Sequence, residues 1–133
     1  MADNKSLEQE LTPEEIENKK AEEKKIRAVK TKLRRFIKDM DTDDKTIPNL
    51  LIDELSFLVV TLENLREEIN TKGTVIPMRQ GGYWIQVSNP ALKSYTSVMQ
   101  RYNICLRDFQ DVLKSRGVAQ TEGVNLVDFV KNK

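Results

Sequence analysis

Apolar residues recur along this chain in two seams of similar length. Leu51, Leu55, Leu58, Leu62, Leu65 and Ile69 are separated by alternating steps of four and three, and so are Leu92, Tyr95, Met99, Tyr102, Leu106, Phe109 and Leu113. Such spacing places each set on one side of an α-helix. The first seam, broadened by Ile52 and Val59, predicts a helix from Thr46–Pro48 to Lys72, with Gly73 where a C′ glycine belongs. The second predicts a helix with Asn89 as N-cap, Pro90 at its first position and a stop at Arg116-Gly117. Two matching seams are satisfied most simply by an antiparallel helix pair. Between them, Thr74–Met78 and Tyr83–Val87 flank Gln80-Gly81-Gly82 and predict a β-hairpin. Pro77 confines its strand to an edge or a bulge. An isolated hairpin is marginal, so this one is expected to pack on the helices or to pair with another subunit. Tyr83 and Trp84 are expected to cap the small core beside the helix pair. The alternative is that they stack on bases or fill a partner's pocket.

Ahead of the seams, Thr12-Pro13-Glu14-Glu15 has the form of a capping box. The helix it opens carries Ile26, Val29, Leu33, Phe36, Ile37 and Met40 on one face and is expected to end near Asp39–Asp44. Charge changes the picture here. The net is only +1, yet residues 19–38 hold ten bases against two acids. Lys20, Lys24, Arg27, Arg34 and Lys38 fall opposite the apolar face. Lys19, Lys25, Lys30, Lys32 and Arg35 widen the stripe. Such a stripe displaces condensed counterions from duplex DNA and binds it in a salt-sensitive, largely sequence-independent way. It is equally the pattern of a solvated face laced by i,i+4 pairs such as Glu15–Lys19 and Glu23–Arg27. Charge alone leaves both open.

The chain, at 133 residues, has room for one small domain. No apolar run is long enough to span a membrane, and the acidic start lacks the apolar stretch of a secretory signal. A cytosolic chain is expected. Histidine is absent and Cys105 is the lone cysteine, which excludes a Ser-His-Asp triad, a His- or Cys-based zinc site and an internal disulfide. No P-loop occurs. A non-enzymatic protein without cofactor or metal is expected. Cys105, on the flank of its seam, is expected to be a small buried residue.

The passage Tyr83–Gly117, an apolar strand running through Ser88-Asn89-Pro90-Ala91-Leu92 into a long amphipathic helix, resembles the small terminase subunits of tailed double-stranded DNA phages. Many of these have an aromatic or β-branched strand, an Asn-Pro-x-Leu turn and a helix closed by a Gly-Leu-Thr-Pro-like sequence. Here the closing sequence is Gly117-Val118-Ala119-Gln120-Thr121, without the proline. The resemblance covers residues 47–121 and rests mainly on 83–118. It implies a mainly α fold assembled as an oligomeric ring: a long basic N-terminal helix, an antiparallel helix pair and a small β-hairpin. It implies that the ring binds viral DNA at the packaging start, and the basic stripe, Lys20, Lys24, Arg27, Lys30, Arg34, Arg35 and Lys38, is then expected to supply the contacts. It further implies recruitment and regulation of the large terminase subunit, which holds the ATPase and nuclease, in the cytoplasm of an infected bacterium, with cohesive-end packaging. The expected divisions are a disordered acidic segment 1–11, a DNA-contacting helix 12–40, an oligomerisation core 46–117 and a tail 118–133. In the tail, Val124, Leu126, Val127, Phe129 and Val130 exceed the apolar content a free segment needs. They suit docking on the domain or on a partner. The other readings of the same residues are a helical adaptor or structural protein that ignores DNA, and a small DNA-binding transcriptional regulator. The latter lacks a compact helix–turn–helix pair.

Overall fold

The structure, a computed structural model, describes residues 11–116. The expectations for residues 1–10 and for the tail, Val124, Leu126, Val127, Phe129 and Val130 included, lie outside the described residues. Within them the chain is mainly helical with a small antiparallel sheet. Helix α1 spans Pro13–Arg34, a 3-10 turn spans Thr42–Lys45, α2 spans Thr46–Lys72, strands β1 and β2 span Val75–Gln80 and Tyr83–Ser88, and α3 spans Pro90–Ser115.

Helix α2 lies between the other two. Glu22 meets Asn64 at 2.9 Å and Lys30 meets Asp53 at 3.3 Å, so α1 runs antiparallel to α2. Arg101 meets Glu54 at 3.5 Å and Arg66 meets Tyr95 at 3.1 Å, so α3 is antiparallel to α2 as well. The second seam thus finds the first. Leu55, Leu58, Leu62, Tyr102, Phe109 and Leu113 are buried, whereas Leu51, Leu65, Ile69, Leu92, Tyr95, Met99 and Leu106 are half-buried along the rim. A single seam understated α2. Ser56 and Val60 are buried as well, and Val29 and Leu33 of α1 join the same core. Ser56 answers its burial by donating its hydroxyl to the Ile52 carbonyl at 2.7 Å.

Helix α1 starts as expected. Thr12 accepts from the Glu15 amide, and the Glu15 carboxylate accepts from the Thr12 amide. It ends five residues short of the expected stop, at Arg34. Beyond that, i→i−3 bonds from Phe36 to Leu33, Ile37 to Arg34 and Met40 to Ile37 tighten the chain. That turn buries Ile37 and sets the Phe36 ring edge-on to Phe109 at 6.5 Å. An edge-on aromatic contact of this kind is worth about 0.5–1.5 kcal/mol beyond the area it buries.

The hairpin forms with six paired positions and no bulge, from Val75↔Ser88 to Gln80↔Tyr83. Gly81 turns it at φ +63° while Gly82 stays out of the positive-φ region, the signature of a II′ turn. Its base is clamped by Asn89. This buried side chain accepts from the Ala91 amide at 3.0 Å, capping α3, and donates to the Gly73 carbonyl at 2.9 Å, where α2 ends. The Asn89 amide also donates to Thr74. Only Ile76 and Val87, paired with each other, are half-buried in the strands. The expectation for Tyr83 and Trp84 is corrected: they are 77% and 68% exposed and cap nothing. Six-residue strands reach about 20 Å, and Tyr83 and Trp84 stand at the turn end, away from the Asn89 base.

Candidate nucleic-acid interface

The basic stripe divides when the helix packs. Glu22, which bonds Asn64, is half-buried, while every residue of α1 before it is exposed. The first two turns of α1 therefore stand clear of the body. Lys20, Lys24, Arg27 and Arg34 lie on the side of α1 away from Val29 and Leu33, and all four are exposed. Arg35 and Lys38, also exposed, continue the row around the turn after Arg34. None of these six has a carboxylate partner among the described residues. The expected pairs Glu15–Lys19 and Glu23–Arg27 do not form among the described residues either.

Lys30 differs from its neighbours. It is half-buried on the flank of α1, and its ammonium is held by Asp53 of α2 at 3.3 Å. Sequence spacing placed it within the stripe; the packing of α1 on α2 turns it toward the body.

One base was missed. Arg34 and Lys38 line an open depression with Ile37, Lys45, Asn49 and Asp53. Lys45 donates to the Lys38 carbonyl at 3.3 Å, which brings a third cation beside that pair. In sequence it follows the acidic run Asp41–Asp44 and reads as part of it. The signal available was the pattern of the turn, since a 3-10 segment leading into α2 puts its last residue back beside the end of α1. Three cations and an amide, set against the one Asp53 carboxylate that Lys30 already pairs, leave the depression positive and suit a phosphate oxygen better than a lone lysine does.

The hairpin offers a second exposed element. Arg79 and Trp84 are cross-strand partners, and the Arg79 guanidinium carbon lies 6.0 Å from the indole centroid. On the body, Ile47, Leu50 and Phe57 of α2 and Ile104 of α3 are exposed apolar residues on the outer side of the helix pair, with the Glu54–Arg101 ion pair among them.

Cys105 is buried, with its thiol 3.8 Å from the Leu51 carbonyl. Burial first, then the Glu54 and Asp108 carboxylates, push its pKa up to about 11. Burial, then Cys105, pushes Tyr102 up to about 12. Both groups stay protonated and unreactive at neutral pH, as core residues do. Among the described residues no cluster of three or more carboxylate or thiol groups is placed to hold a metal ion, and no helix is long and apolar enough to cross a membrane.

Compared with known proteins, the chain matches no family model, no curated protein and no solved structure.

Proposed function

We propose that this protein is the small subunit of a phage terminase. It binds viral DNA near the packaging start and delivers it to a large subunit that holds the ATPase and nuclease. It works as a non-enzymatic homo-oligomeric ring in the cytoplasm of the infected bacterium. The observation that carries DNA contact is the row Lys20, Lys24, Arg27, Arg34, Arg35 and Lys38, exposed on the outer side of α1 and the turn after it and without carboxylate partners among the described residues. A row that served only to solvate the helix would be expected to use its own acids, and Glu23 does not pair with Arg27. The terminase assignment rests on the strand, Asn89-Pro90 cap and amphipathic helix of residues 83–115. Assembly is supported by the exposed Leu50 and Phe57, apolar residues of the kind that mark protein contacts when they lie in one patch. Weak basic rows repeated around a ring multiply affinity through avidity. Val124, Leu126, Val127, Phe129 and Val130 are assigned to docking on the large subunit.

The test is binding of labelled duplex DNA by fluorescence anisotropy. Replacing Arg27, Arg34 and Lys38 together by glutamate is expected to abolish binding and leave the helical circular dichroism signal intact. Undiminished binding overturns the DNA role and leaves the exposed apolar patch as support for the helical-adaptor reading. Deleting residues 122–133 is expected to abolish capture of the large subunit and spare DNA binding. Native mass spectrometry is expected to return a closed assembly; a monomer would sink the ring.

A further inference from the structure

The two edges of the hairpin are not equivalent. The two-residue Gly81-Gly82 turn makes Gln80↔Tyr83 a hydrogen-bonded pair, and alternation along an antiparallel ladder leaves Pro77↔Gln86 a non-hydrogen-bonded one. Proline fits there because its missing N–H would have pointed outward. The outer edge of β1 therefore lacks its central donor, a device that blocks strand addition. The outer edge of β2 has no such block. By the same alternation Trp84, Gln86 and Ser88 turn their amide and carbonyl groups outward, and all three residues are exposed. Tyr83–Ser88 contains no charged residue, although a lysine or glutamate is the usual guard of an open edge. The ribbon also has only two strands, fewer than an independently stable sheet requires, and the described residues supply no third.

We infer that β2 pairs antiparallel with β2 of a second copy of this chain, about a two-fold axis through Gln86, to make a four-stranded sheet. Side-chain pairing supports that partner and that register. With Gln86 opposite its own copy, Ile85 faces Val87 of the second copy in the closer, non-hydrogen-bonded positions, where β-branched pairs pack best. Trp84, the largest side chain of the strand, faces Ser88 of the second copy, the smallest. Two uncharged strands meet without repulsion, and Arg79 stays on the far strand. The sheet then carries one continuous apolar face, built from Ile76, Met78, Ile85 and Val87 of both copies. Such a contact closes on itself after two chains. It is independent of the DNA-binding reading. Combined with a head-to-tail ring it joins two rings face to face and makes the copy number even.

The experiment uses the full chain. Gln86→Pro blocks the β2 edge as Pro77 blocks β1, and by the alternation removes no hydrogen bond inside the hairpin. It is expected to halve the native mass while circular dichroism stays unchanged. Because a second proline could disturb the ribbon, a cysteine pair of variants provides an independent readout. In a Cys105→Ala background, Gln86→Cys is expected to form a disulfide-linked dimer under mild oxidation, and Arg79→Cys, on the opposite edge, is not. Cross-linking at 79 equal to that at 86, or none at 86, overturns the pairing. If Gln86→Pro leaves the mass unchanged but weakens DNA binding, the arm belongs to nucleic acid and the self-pairing is refuted. A wild-type dimer that falls to a monomer on Gln86→Pro refutes the ring and supports the pairing, so the two readings fail separately.

Discussion

Salt dependence of DNA binding gives the sharpest test of the first helix, because it counts charges. Each phosphate neutralised on duplex DNA contributes about −0.9 to the slope of log affinity against log salt. Lys20, Lys24, Arg27, Arg34, Arg35 and Lys38 are exposed with no carboxylate partner among the described residues, so a chain that uses the whole row has a slope of about −5.4. Doubling the salt from 0.1 to 0.2 M then weakens binding about 40-fold. Replacing Arg27, Arg34 and Lys38 by alanine removes half the row, which reduces the slope to about −2.7 and the loss on doubling to about sixfold. Lys30→Ala is the internal control, since its ammonium is already held by Asp53 at 3.3 Å and should release few counterions. The assay is anisotropy of a labelled duplex titrated at five or so salt concentrations, with slopes compared among wild type, the triple alanine variant, Lys24→Ala and Lys30→Ala. A slope that the triple variant leaves unchanged refutes the placement of DNA on α1. Equal changes for Lys30→Ala and Lys24→Ala refute the division of the stripe by the Lys30–Asp53 ion pair.

Other expectations concern the body of the protein. Phe109→Ala empties the fully buried site where α3 meets Phe36 and should lower unfolding free energy by about 3–5 kcal/mol in a urea titration. Asn89→Ala loses the α3 cap and strands the Gly73 carbonyl, a combined cost of about 2–3 kcal/mol, and should speed amide exchange in the hairpin before the helices. Cys105 and Tyr102 have pKa values raised in the fold, so the stability they contribute is complete below about pH 9 and is lost as pH climbs through 11 to 12. Thermal melts between pH 8 and 12 should therefore drop, and Tyr102→Phe should flatten the upper part of the drop. An unchanged profile in that variant refutes a buried, titrating Tyr102.

The two seams were legible because period and capping agree in them. Leucines at steps of three and four, Gly73 after Lys72, and Asn89-Pro90 before α3 each specify the same boundaries by local chemistry. The end of α1 was not legible. Phe36, Ile37 and Met40 continue the helical period, and the contact of Phe36 with Phe109, far away in sequence, is not readable from that period. Trp84 was expected to be covered because aromatic residues dominate small cores, yet the sequence of a strand carries no information on whether anything lies against its face. The basic stripe was visible as composition, but its separation into an outward row and an inward Lys30 depends on Asp53, on another helix. The cluster of Arg34, Lys38 and Lys45 needed the turn geometry in the same way.

The clamp at Asn89 has a consequence for how this protein can change. Because Asn89 ties the base of the hairpin to the helix ends and no residue of 77–86 belongs to the buried core among the described residues, that stretch forms a cassette whose substitutions leave the core untouched. Length can vary too, within a rule set by the pleat. Adding two residues to each strand lengthens the arm by about 7 Å and keeps every side chain on its own face, whereas adding one to each exchanges the faces. Diversification in such an arm should therefore proceed in paired steps, and a graft of a foreign hairpin should be accepted whenever its base keeps the asparagine clamp.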